Sequence, residues 1–312
     1  MRLRHICSEC YAYAHITGSK ERNLVSKKSE RIILMTGATG RQGGAVYKHL
    51  QKKGFKLRTL VRDPDSNKAR QLMGHGKEVF QGGFDDPDSL LRAMDGVHGV
   101  FSVQPYTVNE IQDGVAVIEA AKRRGVSHFV YSSVASADEE TGLPHFESKV
   151  KVEEHLRSSG LQYTIVRPVF FMENWHRGFG ESIRDGQLQQ PLRSTAKLQM
   201  IAVDDIGAFA ALAFEHPGQW KNRIFSLAGD ELSMQQIADA FSRVTARDVK
   251  YVQVSWDQFE KNMGRELTAM YHWFEEKGFH FNLDEARREY PLTHTFNRWL
   301  DASWNTTAVA AR

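Results

Sequence analysis

A short apolar run, Ile32-Ile33-Leu34-Met35, gives way at once to Thr36-Gly37-Ala38-Thr39-Gly40-Arg41-Gln42-Gly43-Gly44. A buried strand that turns through glycines into a helix is the opening of a βαβ unit. The alternation then continues, with strands expected at 57–61, 78–80, 97–103, 129–132 and 163–166. Amphipathic stretches at 42–53, 68–73, 87–94, 108–124 and 145–158 separate them as helices, and Gly125 closes the fourth. Parallel strands joined by crossover helices must be covered on both faces. The expected fold class is therefore α/β, a Rossmann-type doubly wound parallel sheet with a smaller, mainly helical C-terminal lobe.

After Pro168 the regularity fades. The pattern predicts a helix over 171–184, a strand over 198–203, a helix over 204–215 and a strand over 223–227 that can rejoin the sheet. The remainder, in segments 233–244, 249–254, 256–263, 266–276 and 296–304, reads as mostly helical. The expected organisation is a flexible N-terminal extension over 1–30, a core over 31–167, and a substrate or partner lobe over 168–312. Residues of about 198–228 return to the core. The lobe is expected over the carboxyl edge of the sheet, where open α/β folds bind ligands. The charge run Glu285-Ala286-Arg287-Arg288-Glu289 reads as a solvated helix face, and Trp256, Trp273, Trp299 and Trp304 as lobe core and interface.

The chain has 41 basic and 38 acidic residues for a formal charge of +3, and six of the basic against three of the acidic lie within residues 1–30. The body is therefore neutral, which argues against direct nucleic-acid binding. The longest apolar stretch, Ile206 to Phe214, is nine residues, well short of the ~18 that span a bilayer. Cys7 and Cys10 are the two cysteines. They cannot build a disulfide framework, which fits a reducing cytoplasm, and no second pair exists to complete a four-ligand zinc site. His272, His280 and His294 lack ligand spacing, so no metal is expected. Residues 1–30 lack the apolar core of a secretory signal.

The spacing of the turn is GxxGxxG. Gly37 permits the sharp turn, Gly40 lets backbone approach a pyrophosphate, and Gly43 lets the helix pack close, so that the helix N-terminus faces the anion. The second strand ends Leu60-Val61-Arg62-Asp63, and Arg62 falls nineteen residues after Gly43. At that distance an acidic residue grips a ribose 2′-hydroxyl, whereas an arginine fits a 2′-phosphate, so NADP(H) is expected in preference to NAD(H). Arg41 is placed to add a second positive charge to the same group. The alternative leaves Arg62 as a solvated strand-end charge and gives the ribose of NAD to Asp63.

Tyr131-Ser132-Ser133 ends the fifth strand and His145-Phe146-Glu147-Ser148-Lys149 opens the next helix. Short-chain dehydrogenases carry a serine after such a strand and a YxxxK pair on the helix, since i and i+4 share one face. Here His145 occupies the tyrosine's place. An imidazole titrates near neutral pH and can move a proton, or His145 has only a structural role near the helix start.

The stretches TGATGRQGG, LVRDP, YSSVASADEETGLPHFESK and RPVFFMEN resemble the NmrA-like family of atypical short-chain dehydrogenases, from about Arg31 to Trp299. That family includes fungal nitrogen regulators, NmrA-like NADPH sensors and bacterial relatives, with quinone and isoflavone reductases as neighbours. The resemblance implies that Gly37, Thr39, Gly40, Arg41 and Gln42 surround the phosphates and that Arg62 meets the 2′-phosphate. It implies Gln104, Pro105 and Tyr106 on the ribose and nicotinamide side, Lys149 bonded to the nicotinamide ribose, and Phe171 with Asn174 against the nicotinamide. Relatives often carry Asp after the third strand, where this chain has Gly83, so adenine contact falls to backbone and Phe84. Asp85 and Asp86 are expected to cap the following helix at Pro87.

Two functions fit these readings. One is an NADPH-dependent oxidoreductase acting on a small carbonyl or quinone. In it Lys149 orients the cofactor, His145 or a water donates the proton, and Ser133 bonds the substrate oxygen. The other is a non-catalytic NADP(H)-responsive redox sensor that signals to a protein partner. A sugar-nucleotide epimerase is disfavoured, because that chemistry relies on the missing tyrosine.

Overall fold

The fold is that of a computed structural model, which describes residues 31–72 and 78–310. The expectations for residues 1–30, including Cys7 and Cys10, lie outside the described residues. The first half alternates as the apolar runs require: β1 (Ile32–Met35), α1 (Arg41–Lys52), β2 (Lys56–Val61), α2 (Asn67–Leu72), β3 (Glu78–Gln81), α3 (Pro87–Ala93), β4 (Gly99–Ser102), α4 (Glu110–Arg123), β5 (His128–Ser132), α5 (Pro144–Ser158) and β6 (Tyr163–Pro168). Every residue of β4 and β5 is buried, because helices cover both faces of these central strands.

Beyond β6 come β7 (Phe170–Phe171), α6 (Asn174–Gly178), α7 (Gly180–Arg184), β8 (Gln187–Gln190), β9 (Lys197–Ile201), α8 (Val203–Glu215), α9 (Pro217–Trp220), β10 (Arg223–Leu227), β11 (Asp230–Ser233), α10 (Met234–Thr245), β12 (Lys250–Gln253), α11 (Trp256–Met263), α12 (Arg265–Glu276), α13 (Leu283–Glu289) and α14 (Phe296–Ala310). The main sheet has the order β10-β6-β5-β4-β1-β2-β3, all parallel. The strand at 223–227 does rejoin it, as the edge beside β6. The chain runs outward from β1 to β3 and then returns to the other side of β1 as β4. A crevice must open at that reversal, above the carboxyl ends of β1 and β4. The two ends are stitched there by backbone Thr36 N to Phe101 O (3.0 Å) and by Val103 N donating to Thr36 Oγ1 (3.0 Å).

The apolar stretch Ile206–Phe214 is the body of α8, which packs on α1. The contact is so close that a Cβ on Gly207 would stand 2.6 Å from the backbone carbon of Ala45. Only glycine allows the two helices this approach.

Two expectations are corrected in the second half. The helix predicted over 171–184 is instead β7 followed by two short helices. Phe170 and Phe171 pair with Met200 and Ile201 of β9, and the half-buried Glu173 accepts Val203 N at the start of α8. Segment 249–254, expected within a helical remainder, is the strand β12 and runs parallel to β8. Small sheets of order β11-β9-β7 and β12-β8 thus sit within the mainly helical lobe. Strand 197–201 belongs to the first of these rather than to the main sheet. The lobe is held by a chain of rings, Phe170 to Trp175 (5.4 Å between centroids), Trp175 to Phe241 (6.1 Å) and Phe241 to Trp304 (4.7 Å). Each such pair adds about 0.5–1.5 kcal/mol beyond its area burial.

Candidate functional site

The crevice is a cleft of about 590 Å³. Of the residues expected to bind a dinucleotide, Gly37, Thr39, Gly40, Arg41, Gln42, Gly43, Arg62, Phe84, Gln104, Pro105 and Phe171 line it. The structure brings in Asp85, expected only as a helix cap, together with Asn109 and Asp113, which the spacing of motifs did not single out. Asp86, not Asp85, caps α3, accepting from Ser89 N at 3.0 Å. Asp85 instead folds back over the loop, where its Oδ1 is 2.4 Å from the place a Cβ on Gly83 would take.

The loop's glycines are required by contact as well as by conformation. Gly37 has φ +63°, and a Cβ on Gly43 would lie 2.2 Å from Gly37 O. Gly40 caps α1 without a side-chain hydrogen bond, and the first turn carries no acidic residue. The N-terminal N–H groups of α1 therefore face the cleft with no acidic side chain in their own turn, a condition for holding an anion. Gln42 is fixed beneath the loop by Ser132 Oγ, which donates to its Oε1 at 2.6 Å. Gln104 is buried and donates to Ser102 Oγ at 2.8 Å, while its Oε1 has no protein partner. A buried carbonyl oxygen at the cleft wall without a donor fits a polar ligand.

Arg62 is exposed at the end of β2. Arg41 does not join it. Its Nη1 donates to Asn174 Oδ1 at 3.0 Å, and its guanidinium lies 5.7 Å from the centre of the Phe171 ring. Arg41, Phe171 and Asn174 thus form one wall that ties the glycine loop to β7 and α6. Burial holds the Arg41 guanidinium below its ordinary value, with Arg177 acting the same way and Glu173 opposing.

His145, Lys149 and Ser133 are not among the residues that line the cleft. Lys149 is buried on α5 and forms an ion pair with Glu110 of α4, Nζ to Oε1 2.6 Å. Glu110 is fully buried, accepts from Ser148 Oγ, and lies 4.0 Å from His145 Nδ1. The sequence offered only a first-turn acid on α4 here, and no local spacing links it to a lysine on another helix. Burial lowers the Lys149 ammonium despite the pull of Glu110. Burial also lowers the His145 imidazole, helped by Lys149 and opposed by Glu110 and Glu266. Ser133 is buried with its Oγ unpartnered.

His145 and Tyr106 instead line a second pocket of about 290 Å³, with Leu143, Pro144, Phe146, Met263, Glu266, Leu267 and Met270. Their rings meet edge to face at 4.5 Å. Tyr106 stands between Pro105 and Thr107 of the large cleft, so the two cavities adjoin across this segment, with α11 and α12 roofing the smaller one. Desolvation and then the Glu266 carboxylate push the Tyr106 phenol up to about 12. Among the described residues no helix is long and apolar enough to cross a membrane.

Comparison with known proteins agrees with this architecture. The chain is similar to the NAD(P)H azoreductase of Xenophilus azovorans, 33% identical over 234 residues, which are 74% of this chain and 80% of that protein. It is similar in structure to the NADPH-dependent quinone oxidoreductase QOR2 of Escherichia coli, at 25% identity and a TM-score of 0.75, covering 88% of this chain and 99% of that one. NmrA, a negative transcriptional regulator solved in complex with NADP, shares the fold at 23% identity and a TM-score of 0.77, covering 91% of this chain and 98% of its own. NmrA has also been solved with NAD. The signature of the NmrA-like family spans residues 29–305, and this chain belongs to that family.

Proposed function

We propose that the chain binds NADP(H), in preference to NAD(H), in the large cleft and acts as an oxidoreductase on a small carbonyl or quinone in the adjoining pocket. The observation that carries the proposal is the segment Pro105-Tyr106-Thr107, whose outer two residues line the glycine-lined cleft while Tyr106 lines the largely apolar smaller pocket. The names of the azoreductase and quinone oxidoreductase relatives support the same reading.

In this reading the free N–H groups of α1 hold the pyrophosphate and Arg62 meets the 2′-phosphate. Phe84 packs on the adenine with Asp85 beside it, and the Gln104 Oε1 accepts from the ribose or nicotinamide side. Phe171 and Asn174, braced by Arg41, form the far wall. When bound, the reduced nicotinamide supplies a hydride. Lys149, held by Glu110, keeps a fixed positive charge beneath the nicotinamide ribose. Tyr106 and Phe146 exclude water from the acceptor, and His145 or a water returns the proton.

A second reading is a non-catalytic NADP(H)-responsive sensor acting through a protein partner. It is favoured by the absence of the YxxxK tyrosine and by the withdrawal of Lys149 and Ser133 from the cleft surface. Loss of NADPH absorbance with a panel of quinones and carbonyls, compared between wild type and Lys149→Ala, separates the two. Turnover lost in the variant supports the enzyme. Tight nucleotide binding without turnover, together with partner capture that differs between NADP and NAD, supports the sensor.

A further inference from the structure

The two edges of the His145 ring lie in unlike surroundings. The side chain is 33% exposed, yet its Nδ1 is buried and has no hydrogen-bond partner. The open edge is therefore the one that carries Nε2, on the side of the smaller pocket. Nδ1 lies 4.0 Å from Oε2 of the fully buried Glu110. Glu110 is in the first turn of α4 and His145 in the first turn of α5, so the packing of two helix starts sets this distance.

An ionised carboxylate offers about four lone-pair sites. Lys149 Nζ takes one on Oε1 and Ser148 Oγ takes one on Oε2, which leaves Oε2 room for an N–H from Nδ1. Hydrogen bonds to a catalytic group are often long in the free enzyme and tighten when ligand is bound.

We infer that Glu110 is the positioning residue for His145: it holds the ring with Nδ1–H toward Oε2 and leaves Nε2 to exchange a proton with an oxygen in the smaller pocket. The inference rests on the reductase reading and deepens it, by giving to His145 the proton that the reading divides between His145 and a water.

The partner of one ring nitrogen decides what the other can do. As a hydride reaches the carbonyl carbon, the π pair of the C=O bond moves onto oxygen. The Nε2–H bond of the imidazolium then breaks, and its proton passes to that oxygen. The ring is left neutral with its remaining proton on Nδ1, facing Glu110, and Nε2 regains a proton from water. Burial and Lys149, one turn further along α5, disfavour the imidazolium, whereas Glu110 of α4 and Glu266 of α12 favour it. Tyr106 meets the ring edge to face and keeps its own proton to about 12, so it adds no charge. A carboxylate that served only as the counterion of Lys149 would leave the tautomer of His145 alone.

The first test needs no turnover. In the full chain with nitrogen-15-labelled histidine and NADP⁺, the ring shifts of His145, identified by their loss in His145→Ala, report its tautomer. The neutral wild-type ring is expected to carry its proton on Nδ1. Glu110→Gln moves that proton toward Nε2 and makes the ring titrate at lower pH. Because Glu110→Gln strands the Lys149 charge, the pair Glu110→Gln with Lys149→Met provides the same tautomer readout without a stranded ion.

The second test follows NADPH with 1,4-naphthoquinone and benzaldehyde. His145→Ala is expected to lower kcat about 100-fold, within the span of a general acid, while KM changes by less than about threefold. Added imidazole restores part of the rate. A His145 tautomer unmoved in both Glu110 variants overturns the inference. So does a kcat for His145→Ala within about threefold of wild type, or a loss that imidazole does not relieve. If wild type reduces neither acceptor while the tautomer follows Glu110, the positioning of His145 stands and the reductase reading falls.

Discussion

Glu110 and Lys149 form an ion pair, 2.6 Å from Oε1 to Nζ, closed off from solvent between α4 and α5. Two buried charges of this kind gain little net stability over an apolar pair of the same shape, but removing one partner strands the other. Glu110→Gln is therefore expected to cost about 3 kcal/mol, read as a lower urea midpoint with an unchanged slope. Glu110→Gln combined with Lys149→Met should recover most of that loss. Equal losses in the single and double variants would show that the pair is not the source.

Arg62 tests the choice of cofactor. A guanidinium on a phosphate is a charge-assisted contact worth about 1.5–3 kcal/mol, so Arg62→Ala should weaken NADP⁺ binding by about 10- to 100-fold. NAD⁺ binding, titrated by calorimetry beside it, should change by less than about threefold. Equal weakening of both nucleotides would assign Arg62 no part in 2′-phosphate recognition.

Gly43 tests the cradle. A methyl group at this position meets Gly37 O at 2.2 Å and Ala38 N at 2.9 Å, and both are backbone atoms that cannot swing aside. Gly43→Ala should destabilise the chain by about 1–3 kcal/mol through overpacking and abolish nucleotide binding. A thermal melt and a titration on the same sample check both effects. Retained binding at wild-type affinity would mean that the loop has another shape.

His128 sets an acid limit. It is buried, with Nε2 2.8 Å from Thr164 Oγ1 and Nδ1 unpartnered, and burial followed by nearby positive charge lowers its pKa to about 3. The unfolded chain takes up a proton here near pH 6.5 and the folded chain does not. Its stabilising effect is therefore complete above pH 6.5 and is lost as pH falls toward 3, at up to ~1.4 kcal/mol per pH unit. Urea melts between pH 7 and 4.5 should show this slope, and His128→Gln should flatten it. His294 runs in the opposite sense, since Asp205 at 2.7 Å raises it. Its contribution is present below pH 6.5 and fades as pH climbs past its raised value.

The sequence reading identified the alternation of the first half element by element, because each buried strand and each covered helix face leaves its own side-chain period. It also placed the glycine loop and Arg62, whose spacing follows from one strand, one turn and one helix in succession. It erred where pairing partners are distant. Phe170 and Phe171 carry no local sign that they lie beside Met200 and Ile201. Gln187–Gln190 became a strand through Lys250–Gln253, part of a remainder read as mostly helical.

The residues alone therefore determined the doubly wound sheet and the glycine-rich turn, since both arise from short-range periodicity and from backbone freedom at particular glycines. Only the packed chain decided that Lys149 is matched by Glu110, that Arg41 faces Asn174 rather than Arg62, and that Glu266 overlooks an apolar chamber. Each of these is set by which helices become neighbours, and a charge's partner depends on distance in space rather than along the chain.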